Sequence, residues 1–553
     1  NLLFDTTTTT RPMVIGTAGT ANDFALTTGE IASFTDGANL IQIGVGGDAI
    51  PMTIESATFK DFVRFEATGV GGTITLNGAL STALANAPID LLAGSGNAGA
   101  LTMNASASIA SGSGTIILSG DVLDIENAAD NSITTTGLLN FVPKTANRPA
   151  VLGGAGTAND FALTTGELAS FSDGASGIVF GASGGVQTWA VTIESATFKD
   201  PLTVYADGAG GDITINGALS TSAANVAIQL LAGTGNSGVF TMNAGGSLAA
   251  GFGTIRVLAD TIDIDAAADD SITTSGLLTL RPATANRPGV LGGAGTANDF
   301  ALTTGELASI ADGAANIFFG EDTVNSWAVT MNAATYRDPL TVFANASGGA
   351  ISVNGQITGT GNASITLDGP GATTTLGADI VTSGDAITIS DNAVLAANVS
   401  LNTSSGDAAG ANISITGTTN ADSAVNNRTL TLNAGTGGDV TLTGAVGGSQ
   451  ALQTFTVSEA DDVTLPAMTA GAGGISVTAG GSGSLITLTG AITTAAGNGP
   501  VTLSAGSTDN GQFIMNAGSS IAAGSGAISL MGDVLTFDNA ADAVQYEFSV
   551  VWD

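Results

Sequence analysis

Gly71-Gly72-Thr73-Ile74-Thr75-Leu76-Asn77-Gly78 is the stretch that decides the fold. Ile74 and Leu76 fall on one face of an extended segment and Thr73 and Thr75 on the other, because side chains alternate along a strand. β-Branched threonine suits a pleated, solvated surface. The flanking Gly-Gly and Asn-Gly pairs supply turns that need positive φ. The pattern returns at Gly210–Gly217 and Gly348–Gly355, and again as Gly437-Gly438-Asp439-Val440-Thr441-Leu442-Thr443-Gly444. A short strand between glycine turns, reused along the chain, is the unit of a stacked coil, not of a closed globule.

Around this unit runs a longer period. A marker opens at Arg11-Pro12 and continues through Gly19-Thr20-Ala21-Asn22-Asp23-Phe24-Ala25-Leu26-Thr27-Thr28-Gly29-Glu30; it recurs at Arg148 and Arg287, a spacing of about 140 residues. Each marker is followed by Glu55-Ser56-Ala57-Thr58-Phe59-Lys60-Asp61 or its echo at Glu194–Asp200 and, more loosely, Asn332–Asp338. The Gly-Gly strand comes next, then a Met-Asn strand (Thr102-Met103-Asn104, Thr241-Met242-Asn243) and an acidic strand. The organisation read from these landmarks is block 1 over 1–147, block 2 over 148–286 and block 3 over 287–543. Extra coils interrupt block 3 at about 357–491 and delay its Met-Asn pair to Met515-Asn516, and added whole coils are what a solenoid tolerates. Residues 544–553 leave the repeat as an aromatic-rich tail, read as a cap, a joint or a strand offered to a neighbour.

Within the marker, Thr27-Thr28-Gly29-Glu30 is a capping box with Thr27 at the N-cap and Glu30 at N3. It predicts one helical turn ended by Asp36-Gly37 and protruding once per block, with equivalents at Thr164–Glu167 and Thr303–Glu306. The expected fold is all-β, a parallel β-helix with these short helical turns. A coil of roughly 20–25 residues makes some two dozen coils.

Composition narrows the function classes. Apolar residues are 43% of the 553, enough for a core; aromatics are only 5%, so that core is narrow and aliphatic. Glycine, at 79 residues, follows no Gly-X-Y pattern, which excludes collagen. The net charge of −36 reflects 11 Lys and Arg against 47 acids, so nothing neutralises phosphates and nucleic acid is a poor partner. No stretch is apolar enough to insert in a membrane. Without cysteine or histidine, disulfides, thiolate zinc sites and the usual general base are unavailable. The chain starts at Asn1 with no signal peptide, which reads as a fragment or a processed product.

Residues from the marker onward resemble the repeats of large secreted adhesins of the filamentous-haemagglutinin type. The likeness rests on Arg-Pro, Leu163-Thr164-Thr165-Gly166-Glu167-Leu168 and Gly210-Gly211-Asp212-Ile213-Thr214-Ile215-Asn216-Gly217, and covers about Arg11 to Asp542. It implies a right-handed parallel β-helix, export across a Gram-negative outer membrane, and a role in adhesion or biofilm. The family's N-terminal secretion domain and anchoring barrel do not occur in this sequence, so the resemblance is to the shaft.

Candidate chemistry is sparse. Asp263, Asp265 and Asp269, with Asp260 and Asp270, and Asp124, Glu126 and Asp130, with Asp121, place oxygen ligands close enough in sequence to suggest calcium. Asp533, Asp538 and Asp542 close the last block in the same way. No calcium-loop signature accompanies them, and solvated carboxylates are the simpler reading. Paired carboxylates also raise a polysaccharide-degrading β-helix enzyme. Yet residues copied in every block, such as Lys60-Asp61 read as an ion pair, hold coils together better than they mark one active site, and no catalytic residue or cofactor is assigned. Threonine rows suggest an ice-binding face, but they look broken by Asn, Asp and Ser. Trp189 and Trp327, each before Ala-Val-Thr, are read as core rather than sugar platforms. The expected function is the stalk or fibre of a secreted surface adhesin binding a cell surface or matrix polysaccharide; the rival is a self-assembling filament or surface-layer subunit that associates end to end.

Overall fold

Three short strands and three bends make one turn of the coil: Val63–Glu66, Thr73–Leu76 and Ala79–Thr82, after which Ile89–Leu92 begins the next. A computed structural model describes residues 1–538, apart from 9, 186, 223–224, 321–326, 345–347, 370–372, 424–426, 482 and 507–509. The chain is mostly β, a parallel β-solenoid of about 20 turns, with three short helices among the described residues. It divides into two compact units: unit 1 is Asn1–Thr284 with Ala308–Ala311, and unit 2 is Ala285–Leu307 with the chain from Asp312 on.

In unit 1 the strand that opens each coil forms a first ladder of eleven parallel strands, Leu2–Phe4 to Leu277–Arg281. Unit 2 has an equivalent of ten, Asn316–Phe319 to Val534–Phe537. Register is fixed by alternation. Ile89 pairs with Val63 on one side and Ile116 on the other, all three fully buried, while Arg64 and Asp90 occupy the outward positions between them. A slip of one residue would turn every apolar side chain outward. At Gly72 a Cβ would lie 1.9 Å from the Ala67 carbonyl oxygen, and Gly71 has φ +80°, so this bend requires both glycines.

The marker breaks the second ladder into sheets, one per block. After Met13–Gly16 the chain loops back, and Phe24–Thr27 pairs parallel beside it within the same coil. In block 2, Phe161–Leu163 does the same beside Ala150–Leu152. Helices α1 (Thr28–Ala32), α2 (Thr165–Ala169) and α3 (Thr304–Ala308) follow these extra strands. Both halves of the capping box are present in α1 and α2. In α3, Glu306 accepts from the Thr303 N–H and Thr303 Oγ1 from the Glu306 N–H. Five residues do not hold a helix alone; buried Ile31 and Leu168 fasten α1 and α2 to the coil. The third ladder of block 1 runs from Ala57–Phe59 through Ala79–Thr82 and Ser108–Ala110 to Ile133–Thr134, and among the described residues it crosses the boundary to block 2 through a single bridge, Ile133 to Phe171.

Several of the few aromatic residues pack together in the marker coils. Phe141 stacks between Phe171 and Phe180, and Phe319 against Trp327. Trp189 and Trp327 are buried, and their indole N–H groups donate to the Tyr205 and Phe343 carbonyls. They are core residues. No helix among the described residues is long and apolar enough to cross a membrane.

Along the added stretch in unit 2 the repeated motif changes face. Ala350–Val353, of the Gly348–Gly355 motif, lies in the second ladder. Val440–Leu442, of the Gly437–Gly444 copy, lies in the first. Gln512–Met515 is likewise in the first ladder, whereas Met103 and Met242 are in the second. The motif has moved on by one face. The bends explain it: the two-residue bend follows the second-ladder strand at Thr73–Leu76 but the first-ladder strand at Ile387–Ile389. A tight corner that migrates carries the sequence pattern round the coil with it.

Candidate functional site

The acidic strands divide into buried staples and exposed charges. Asp121 is fully buried and accepts from the N–H of Gly96 (2.5 Å), the N–H of Thr145 (2.6 Å) and the Thr145 hydroxyl. Asp260 accepts from the Thr284 N–H at 2.7 Å and hydroxyl at 2.6 Å. Each carboxylate ties successive coils together through donors that would otherwise be stranded. By contrast Asp124, Glu126, Asp130, Asp263, Asp265, Asp269 and Asp270 are exposed along the outer surface. Among the described residues no three carboxylates converge on a point where a metal could sit. Asp533 is exposed yet accepts from the Gly511 N–H at 2.9 Å, Asp538 is exposed, and Asp542 and the tail 544–553 lie outside the described residues.

The Lys-Asp landmark corrects an expectation, for its two residues turn to different partners. Lys60 Nζ donates to the Ala32 (3.3 Å) and Phe34 (2.7 Å) carbonyls at the end of α1, where a cation suits the helix dipole. Asp61 accepts from the Gly37 N–H of the Asp-Gly turn that follows. Lys199 reaches the Phe171 carbonyl (2.9 Å) and Asp200 the Gly174 N–H (2.9 Å); Asp338 accepts from the Gly313 N–H (2.7 Å). Consecutive side chains point opposite ways at a strand end, so the dipeptide clamps the helix and its turn instead of closing on itself. Burial pushes the Asp200 and Asp338 carboxyls above their usual range.

The marker arginine locks its own loop. Arg11 donates to the Asn22 and Asp23 carbonyls, Arg148 to the Ala158 carbonyl and Asn97, and Arg287 to the Ala297 carbonyl. Asp23, Asp160 and Asp299 each accept from the N–H three residues back at 2.7 Å.

Two surface features escaped the sequence reading. A side-chain ladder climbs one corner of each block in unit 1: Asn104 donates to Asn77 (2.7 Å) and Asn77 to Glu55 (2.9 Å), repeated by Asn243, Asn216 and Glu194. Recurrence of those residue types at one position of successive coils was the available signal. In unit 2, Thr366, Thr388, Ser414, Thr441, Thr464 and Thr487 stand in one outward column over six consecutive coils. Uneven coil lengths hid this column from inspection of the sequence, where threonine rows looked broken.

Comparison with known proteins gives no matching family model, no matching curated protein and no matching solved structure. The chain is a β-solenoid whose charged residues, wherever they are buried, mostly accept or donate to backbone groups of neighbouring coils. Its outer surface offers hydroxyls, amides and dispersed carboxylates, the chemistry of hydrogen-bonded recognition over an extended face.

Proposed function

We propose that this chain is the shaft of a secreted bacterial surface adhesin, exported by a Gram-negative cell and presenting binding surfaces for a cell surface or matrix polysaccharide. The observation that carries this reading is the unbroken parallel register of the first ladder, eleven strands in unit 1 and ten in unit 2. Stacked coils extend in one dimension at about 4.8 Å per turn and repeat their surface groups at each step. Marker, Gly-Gly strand and acidic strand, repeated in order, support the same reading by their likeness to the adhesin repeats. Weak contacts repeated along such a surface gain by multivalency. An enzyme reading has no support from the repeated residues, which hold loops and helices in place.

Electron microscopy of purified protein, with sedimentation against insoluble matrix polysaccharides, tests the proposal. Discrete particles that co-sediment with a polysaccharide are the expected result. Long fibres with an axial repeat of one chain would instead favour the self-assembling filament, and cleavage of the polysaccharide would overturn both.

A further inference from the structure

The capping glutamate of α2 serves two blocks at once. Glu167 Oε2 accepts from the Thr164 N–H at 2.7 Å and closes its own helix cap. Its Oε1 accepts, at 3.0 Å, from the N–H of Ile125, which lies just beyond the acidic strand Val122–Asp124 of block 1. The contact continues through the backbone. Asn131 N–H donates to the Ala169 carbonyl (3.0 Å), Ile133 N–H to the Ser170 carbonyl (2.9 Å), and Ser172 N–H to the Ile133 carbonyl (3.0 Å). Lys199, from the coil after α2, reaches back to Asn131 Oδ1 at 2.6 Å, so three successive layers meet at this helix.

α1 supplies the internal control. Its box is complete, with Glu30 accepting from the Thr27 N–H at 2.8 Å, yet Glu30 is exposed while Glu167 is only 4% exposed. The cap is therefore a local feature that both helices share. The reach across a block boundary is what α2 adds.

The contact also sits where the parallel ladders are thinnest. The second ladder is divided at this boundary and the third crosses it on one bridge. In a stacked array, cooperativity depends on the strength of each nearest-neighbour interface. A weak interface lets its two sides open separately.

We propose that Glu167 is the coupling residue of this boundary, making the end of block 1 and the marker segment of block 2 open and close as one cooperative element. The proposal is independent of the adhesin reading, because it concerns how blocks join and holds whatever the surface binds. A buried N–H that loses its acceptor shifts a local opening equilibrium by about tenfold, enough to separate two local openings.

Native-state hydrogen exchange on the full chain tests it, comparing peptides covering 120–135, 161–175 and 24–36. In the parent protein the first two are expected to share one opening. Glu167→Ala is expected to speed exchange in both by about tenfold, the kinetic equivalent of one lost buried hydrogen bond. Glu167→Gln, which keeps one acceptor oxygen and the side-chain volume, should move the same two peptides by less. Glu30→Ala should act on 24–36 alone. If Glu167→Ala speeds exchange in 161–175 and leaves 120–135 unchanged, the glutamate is only a helix cap and the coupling is refuted. Should neither peptide respond to Glu167→Ala or Glu167→Gln, the proposal fails as well.

Discussion

The marker coils of unit 1 and the added coils of unit 2 solve the same stacking problem by different means. Around α1 and α2, buried Asp61, Asp121 and Asp200 and the cations Lys60, Arg148 and Lys199 each seize a backbone group of a loop. Among the described residues between Ile365 and Leu488 there is no helix, and strand follows strand. There Asn412 accepts from the Asp439 N–H, Asp439 from the Asp462 N–H and Asp462 from the Leu485 N–H, a plain relay between stacked bends. Regular coils add to core and backbone a set of side-chain acceptors that link stacked bends, Asp391 among them, whereas at the interruptions buried charges also hold the loop and the end of the helix.

Removing the core at a marker coil should widen this contrast most. Trp189→Ala is expected to destabilise unit 1 by about 3–5 kcal/mol in denaturant unfolding, against about 0.5–1.5 kcal/mol for Ile389→Val among the regular coils of unit 2. A smaller loss would mean that the marker interior collapses onto the vacated space.

Next come the anchored carboxylates. Asp121→Ala strands the Gly96 and Thr145 N–H groups and leaves Arg148, 3.9 Å away, without its nearest acid; the expected loss is about 3 kcal/mol. Asp391→Ala, which removes the acceptor of the Thr374 hydroxyl and the Gly369 N–H in the added coils but strands no cation, should cost less, about 1–2 kcal/mol. Equal losses at the two sites would erase the distinction between marker and regular coils.

Acidity separates the two helices by sign. Burial, outweighing the N–H bonds it receives, raises the Glu167 carboxyl above 4.5, and burial also raises Asp200 and Asp391 above 3.8. A raised carboxyl stabilises the fold below its unfolded value, and that contribution fades as pH climbs through the folded value. Glu30 is lowered by its cap hydrogen bonds, so its contribution is present above 4.5 and fades as pH falls. Unfolding midpoints are therefore expected to decline as pH rises above the ordinary carboxylate values of 3.8 and 4.5, and Asp391→Asn should flatten that slope. A midpoint that rises over the same window would contradict the burial assignment.

The smallest effects belong to the surface. Asn77→Ala breaks two rungs of its side-chain ladder and should cost about 1 kcal/mol. Thr441→Ala, on the exposed hydroxyl column, should stay within about 0.5 kcal/mol in thermal unfolding.

How much of this was legible follows from range. Alternation in Thr73-Ile74-Thr75-Leu76 and the capping box at Thr27–Glu30 are local, and both gave the observed elements. The core placement of Trp189 and Trp327 followed from their shared context. What required register was hidden: Lys60 bonds residues 26 and 28 positions away, and the column through Thr441 joins coils of unequal length. In the acidic strands, sequence alone did not separate the inward carboxylate from the outward ones. Asp121 turns inward to neighbouring coils while Asp124, Glu126 and Asp130 stay outside. The face change at Gly437–Gly444 was invisible because motif spacing carries no information on which corner a bend turns.

That face change has a practical corollary. Reporter peptides spliced beside Gly348 and Gly437 would follow identical local sequence logic yet look out from adjacent sides of unit 2. Anyone decorating this scaffold by motif alone would arrange cargo helter-skelter; choosing sites by ladder would line it up along a single flank.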